Sequence, residues 1–214
     1  MRIAVIGAGN VGRAVGSNWT RAGHEVLYGV RDPGADKNAP IRAAGGRVTS
    51  SAEAAAEAHV VVLALPWTGA ESAIKALGPL AGKVVLDCMN PLTMGPDGLA
   101  LDRGFTTSGG ETVASWLPQA RVVKTLNQVG AEIMATAATL AACPIMFVAG
   151  DDADAKATAS ALVGDLGFEV QDAGVLRQSR LLEPMAMLWI NQALFRGQGR
   201  DWAFGAIRRS GGAA

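Results

Sequence analysis

The chain is poor in the groups on which much enzyme chemistry is built. Of its 214 residues only two are cysteine and two are histidine, and aromatic residues make up 5%. Cys88 and Cys143 have no metal-ligand spacing, and neither His24 nor His59 lies near a cysteine or a carboxylate cluster, so a zinc site has no support. An excess of one charge is also missing. Lys+Arg and Asp+Glu both number 19, and this balance argues against nucleic acid or an anionic membrane as partner. The most apolar late stretch, Leu181 to Phe195, contains Glu183, Pro184, Asn191 and Gln192 and is too short and polar to span a bilayer. It reads as a helix inside a soluble protein. The first strand pattern starts at Met1 with no room for a signal peptide, so a reducing cytoplasm is the expected compartment.

What the chain does have is concentrated at its amino end. Met1-Arg-Ile-Ala-Val-Ile-Gly-Ala-Gly-Asn-Val-Gly12 is an apolar run that breaks on Gly7 and becomes helical by Val11. The spacing Gly7-x-Gly9-x-x-Gly12 gives each glycine its own steric task in a dinucleotide turn. Gly7 allows the sharp exit from the strand, Gly9 lets the backbone approach a pyrophosphate, and Gly12 lets the helix lie close on the strand. The amides of Asn10, Val11 and Gly12 then face the phosphates from a helix N-terminus, where free N–H groups and the dipole favour an anion. Val11, Ala14, Val15, Trp19 and Ala22 make one helical stripe, and His24 to Gly29 reads as the next strand, which completes βαβ.

The end of that second strand selects the dinucleotide. NAD-specific proteins place a carboxylate about 20 residues past the glycines to accept from the ribose 2′-hydroxyl. Here Gly29-Val30-Arg31 stands there, with Arg31 offering a planar fork of donors to a 2′-phosphate and Gly29 leaving space for it. Asp32 is the competing ribose acid if the register moves by one. Arg13 and Lys37 are secondary phosphate contacts or solvated surface charge.

The rest alternates strands and helices, the rhythm of an α/β Rossmann-type, doubly wound parallel sheet. The length suits a nucleotide domain over residues 1–142 and a small C-terminal helical or α+β extension over 143–214. Arg47-Val48 begins an edge strand, and His59 to Leu65 is a fully buried strand expected beside the first. Lys83 to Asp87, Ala120 to Leu126, Pro144 to Gly150 and Phe168 to Gln171 are further strands. Capping boxes are expected at Ser50/Glu53, Thr68/Glu71 and Ser108/Glu111, and Asp151-Asp152 caps a helix to about Gly164. Pro91 to Thr107 reads as a long loop covering the crevice, Pro184 should kink or restart the last helix, and the end of the Gly197–Ala214 tail is expected to be disordered.

Ligands in such sheets sit beyond the carboxyl ends of the strands, which singles out Leu65-Pro66-Trp67, Cys88-Met89-Asn90 and Asn127 to Ala131. Trp67 either walls the nicotinamide side or staples the next helix to the sheet. Asn90 and Asn127 either orient a carboxamide or substrate carbonyl or serve turn chemistry.

Gly7-Ala-Gly-Asn-Val-Gly12 with Gly29-Val-Arg31, Leu65-Pro-Trp67, Asn90-Pro-Leu92, Arg121-Val-Val-Lys124 through Asn127, and Asp172-Ala-Gly174 through Ser179-Arg-Leu-Leu-Glu183 resemble the coenzyme F420-dependent NADP oxidoreductases over nearly the full length. The resemblance implies a compact nucleotide domain, and hydride transfer between NADP(H) and a stacked deazaflavin. It puts cofactor contacts on Ala8 to Val11, Val30, Arg31, Trp67 and Ala131. The family often carries a hydroxyl residue where this chain has Val30, which leaves Arg31 with more of the selectivity. Similar domains form the reductase part of membrane ferric reductases, where a flavin takes the hydride.

Carbonyl reduction needs a positioned proton donor, and none is evident at a strand end. The sequence therefore points first to an NADP(H)-dependent oxidoreductase whose partner is a small-molecule hydride acceptor, F420 or a flavin. Reduction of an imine or carbonyl with Lys124 or Asp87 as acid, and NADP(H) sensing without turnover, are the alternatives. A homodimer is left open.

Overall fold

Ile3, Ala4, Val5 and Ile6 are all buried, because β1 (Arg2–Ile6) lies near the middle of a sheet covered on both faces. Parallel strands in that position must be apolar on both sides. The same holds for β4 (Val60–Leu63), in which Val60 and Val62 enter one core and Val61 and Leu63 the other. Each such side chain contributes on the order of 1.5–3 kcal/mol. The computed structural model describes residues 1–209.

β1 pairs in parallel with β2 (Glu25–Val30) on one side and with β4 on the other, as the sequence predicts. β3 (Arg47–Ser50) closes the edge beyond β2. On the other side β4 is followed by β5 (Val84–Asp87) and then by β8 (Arg121–Lys124), all parallel. Next come β9 (Ile145–Gly150) and β10 (Glu169–Gly174), giving an eight-stranded sheet in the order β10-β9-β8-β5-β4-β1-β2-β3. β9 runs antiparallel to β8, so the sheet is mixed at this edge. The winding reverses between β1 and β4, which opens a crevice at their carboxyl ends.

One face carries α1 (Asn10–Arg21), α6 (Ala131–Thr136), α7 (Ala153–Gly164) and α8 (Ser179–Phe195), which add Val15, Trp19, Ile133, Leu162 and Trp189 to the first core. The other carries α3 (Ser51–Glu57), α4 (Ala70–Lys75) and α5 (Gly109–Trp116). A short α2 (Ala39–Ala43) leads into β3.

Local signals are obeyed unevenly. Ser50 and Glu53 form the expected capping box, and Asp152 accepts from the Ala155 amide. Ser108 accepts from the Glu111 amide, but the Glu111 carboxylate turns to the Ser108 hydroxyl and to Arg180 rather than to the cap amide. Thr68 caps nothing, because α4 starts one residue later on Gly69, whose left-handed backbone supplies the turn. The expected loop over Pro91–Thr107 contains a hairpin of β6 (Leu92–Gly95) and β7 (Gly98–Leu101). Pro184 neither ends nor restarts α8. It lies on the exposed side of the helix, which continues through it to Phe195. The tail after α8 packs down: Trp202 and Phe204 lie against the first core, and the Ile145 amide donates to the Phe204 carbonyl. The disorder expected at the chain's end falls on residues 210–214, outside the described residues.

Gly7 and Gly12 have the steric roles that their spacing implies, and Gly9 leaves open space. Gly7 has φ +104°, and a Cβ there would lie 2.3 Å from the Ala64 carbonyl oxygen. A Cβ on Gly12 would lie 1.9 Å from the Gly7 oxygen, whereas one on Gly9 would meet nothing within 4 Å. Gly12→Ala should therefore cost about 3 kcal/mol in urea unfolding, the upper end of ordinary overpacking. Gly9→Ala should change stability by under about 0.5 kcal/mol. Equal losses for the two variants would contradict this division.

Candidate active site

The glycine turn separates two clefts. One, of about 620 Å³, runs from Gly7 to Gly9 across the end of β2 to Arg31, Lys37, Asn38 and Ser51. The other, of about 560 Å³, runs from Gly9 to Val11 across the ends of β4, β5 and β8 to α8. Gly9, Leu65 and Pro66 border both.

At the junction, α1 begins with no side-chain cap and no acidic residue in its first turn. Among the described residues the amides of Asn10, Val11 and Gly12 have no acceptor. With the open space above Gly9, this arrangement has the geometry to receive an anion.

The first cleft is held by backbone carbonyls. Arg13 donates from Nε to Ala8 O and from Nη2 to Lys37 O, both at 2.9 Å, and so ties the glycine turn to the loop after β2. Arg13 is thus a clamp on the loop rather than free surface charge. Buried Asn38 donates through Nδ2 to Asp32 O at 2.9 Å, and Arg42 donates to Pro33 O. Asp32 Oδ1 accepts from the Gly34 amide at 3.0 Å, which engages this carboxylate in its own turn. Arg31 is exposed on the cleft and has no partner among the described residues. Val30 is half-buried beside it. Gly29 serves a different purpose from the one expected: a Cβ there would strike Ile6 Cδ1 at 2.8 Å and Ser51 Cα at 2.9 Å, so its smallness admits α3 rather than a phosphate.

The second cleft is mostly apolar. Trp67 both lines it and acts as a staple: its ring stacks on Trp116 of α5 at 5.5 Å and its Nε1 donates to Asp102 Oδ2 at 3.1 Å. Leu65 and Ala131 line it from β4 and the start of α6. The Asn127 amide is consumed structurally, since Nδ2 donates to Asn90 Oδ1 at 2.9 Å and Oδ1 accepts from Gln128 Nε2 at 3.0 Å. Gln128 in turn accepts from the Phe147 amide, which ties this turn to β9. Trp189, Ile190 and Arg200 complete the wall and carry no local motif, because they reach the cleft only through the fold. Cys88 lines the floor, but burial and the adjacent Asp87 carboxylate push its thiol far up, so it stays neutral.

Lys124 does not face the cleft. Its Nζ lies fully buried behind the floor, 3.0 Å from Asp87 Oδ2, 3.0 Å from Glu183 Oε1 and 2.5 Å from Met89 O. Burial acts to lower its pKa, yet Asp87 and Glu183 outweigh it and the net shift is upward. Glu183 also accepts from the amides of Gly109 and Gly110 at the start of α5. All three donors of the ammonium are engaged. Lys124 and Asp87 therefore form a structural pair, and neither is aimed as an acid at a substrate.

An open helix N-terminus at the switch point, a free guanidinium past the second strand and an apolar cleft beyond define a nucleotide-binding oxidoreductase. Residues 2–91 match the model of a family described as NADP oxidoreductase, coenzyme F420-dependent. The chain is similar to a candidate F420-dependent NADP reductase from Arthrobacter sp. FB24, with 33% identity and a TM-score of 0.88 over 97% of this chain and 100% of that one. It is also 26% identical over 187 residues to the metalloreductase STEAP3 of Rattus norvegicus, a match that takes in 87% of this chain and 36% of that protein. The chain thus spans about a third of that relative. A reductive aminase from Aspergillus terreus in complex with NADPH and ethyl levulinate shares the fold at 18% identity, with a TM-score of 0.68 over 92% of this chain and 62% of that one. The chain belongs to the F420-dependent NADP oxidoreductase family, a class of NADP-dependent oxidoreductases.

Lys124→Met should cost about 3–5 kcal/mol, because it strands two buried carboxylates. The folded ammonium has a raised pKa, so its stabilisation is complete below the unfolded value of about 10.4 and is lost only as pH climbs through the higher folded value. Urea unfolding should show the full deficit from neutral pH to about pH 10. A loss under about 1 kcal/mol, the range of exposed pairs, would contradict the network's role.

Proposed function

We propose that the chain passes a hydride between NADPH and a flavin or deazaflavin ring, with the nucleotide across the glycine turn and the acceptor in the apolar cleft. NADPH, when bound, supplies the hydride. The nucleotide would rest on residues 1–142, and Trp189, Ile190, Leu194 and Arg200 would complete the wall around the acceptor.

The chain's own residues have binding and orienting roles. The free amides of Asn10, Val11 and Gly12 would hold the diphosphate above Gly9, with Gly7 and Ala8 shaping the turn. Arg31 would take the 2′-phosphate beside Val30, while Asp32 is already committed to its turn. Leu65, Trp67 and Ala131 would flank the nicotinamide, and Asn127 would keep that wall rigid through Asn90.

The observation that carries the choice of acceptor is the composition of the second cleft. Among the described residues its lining has two ionisable side chains, Cys88, held neutral by burial, and Arg200. Among the described residues that lining holds no His, Lys, Tyr, Asp or Glu, the usual proton donors to a carbonyl or imine. Two heterocycles that exchange a hydride need geometry and dry walls, and solvent can supply the proton.

Stopped-flow mixing of NADPH-loaded protein with F420, FMN, riboflavin and a cyclic imine tests this. NADPH oxidation should depend on a flavin or deazaflavin. Oxidation by the imine alone would overturn the reading, as would no oxidation by any acceptor. For the nucleotide itself, Arg31→Ala should weaken NADPH binding by about 1.5–3 kcal/mol, the worth of hydrogen bonds to a charged group, with NADH barely altered. Equal losses for both, measured by titration, would refute the assignment.

A further inference from the structure

One charged side chain stands in the wall of the second cleft. Arg200 follows α8 by five residues, and Gly197 and Gly199, at φ +74° and +75°, turn the chain back toward the sheet before it. Just beyond, Trp202 stacks on Trp189 at 5.8 Å, and its carbonyl accepts from Trp189 Nε1 at 2.9 Å. The arginine is thus fixed between a glycine reversal and an aromatic anchor.

Its guanidinium lies 5.9 Å from the centre of the Trp189 ring, and Nε donates to Glu132 Oε1 at 2.8 Å. Among the described residues Nη1 and Nη2 have no partner. Both members of the pair are 42% exposed, and ion pairs that wet contribute little to stability. A guanidinium with both terminal nitrogens free at the rim of an apolar cleft has the geometry to bind a phosphate bidentately.

We propose that Arg200 is an anion handle for the hydride acceptor, gripping a phosphate on the acceptor's side chain while the ring lies in the apolar cleft. The proposal rests on the flavin or deazaflavin reading above. It assigns the chain a preference for phosphorylated heterocycles over the bare ring. The other phosphate near this cleft would be the diphosphate of NADPH, since Gly9 to Val11 border it too.

Equilibrium binding of FMN and riboflavin to NADP⁺-loaded protein, read by flavin fluorescence, tests the handle without requiring turnover. Wild type should prefer FMN, and Arg200→Ala should weaken FMN roughly tenfold to a hundredfold, with riboflavin unchanged. NADPH affinity should not move. Its half-exposed position means the variant folds, which thermal unfolding verifies. The handle is overturned by a wild type with no preference for FMN, by equal losses for FMN and riboflavin, or by a loss that falls on NADPH instead. A wild type that prefers FMN through Arg200 but never reduces any flavin or F420 would leave the handle standing and overturn the hydride-acceptor reading.

Discussion

The architecture depends on a backbone contact without side chains. Where the winding reverses, β1 and β4 end so close together that Gly7 has no room for a Cβ against the Ala64 carbonyl, and Gly12 has none against Gly7 itself. This closeness sets α1 down on the sheet with its first amides open, and it makes Gly9 the one glycine of the three with free space above it. Both clefts are bounded by that turn, so the positions of Arg31 on one side and Trp67 on the other follow from it. Arg13 then locks the turn to the loop after β2, which couples the open amides of α1 to the segment that carries Arg31.

A second constraint lies beneath the apolar cleft. Lys124, Asp87 and Glu183 are removed from water, and their desolvation is offset by mutual attraction and by the amides of Met89, Gly109 and Gly110. The cluster joins β5, β8, α5 and α8, and it pins the Met89 carbonyl at the cleft floor. Charge that could have served as an acid is spent on rigidity. The neutral amides of Asn90 and Asn127 are likewise used in hydrogen bonds between their two turns. The cleft is left with shape and apolar walls, which suits a reaction whose chemistry resides in the two bound rings.

Features dictated by local sterics were legible in the sequence. Gly7 and Gly12 have the steric roles their spacing implies, the Ser50–Glu53 box forms, and the apolar run of β4 lies beside β1. Features set by distant packing were not. An apolar strand does not encode its direction, so the reversal of β9 was hidden. The β6–β7 hairpin was passed over although Pro96-Asp97-Gly98 is a turn signal, because four-residue strands such as Leu92–Gly95 show too little alternation to be recognised. Gly29 was given to a phosphate, but the neighbour that requires it is α3, adjacent only through the sheet. Trp189 and Arg200 reach the cleft across more than 50 residues of intervening chain from Ala131, and no spacing rule announces them.

The central claim is that a phosphorylated adenine dinucleotide lies over the glycine turn with its 2′-phosphate against Arg31. A crystal structure of the NADPH complex tests it most directly. The account predicts the diphosphate on the amides of Asn10 to Gly12 and the 2′-phosphate within hydrogen-bonding distance of the Arg31 guanidinium. A nucleotide bound with its ribose turned away from Arg31, or held by the Asp32 carboxylate, would contradict it.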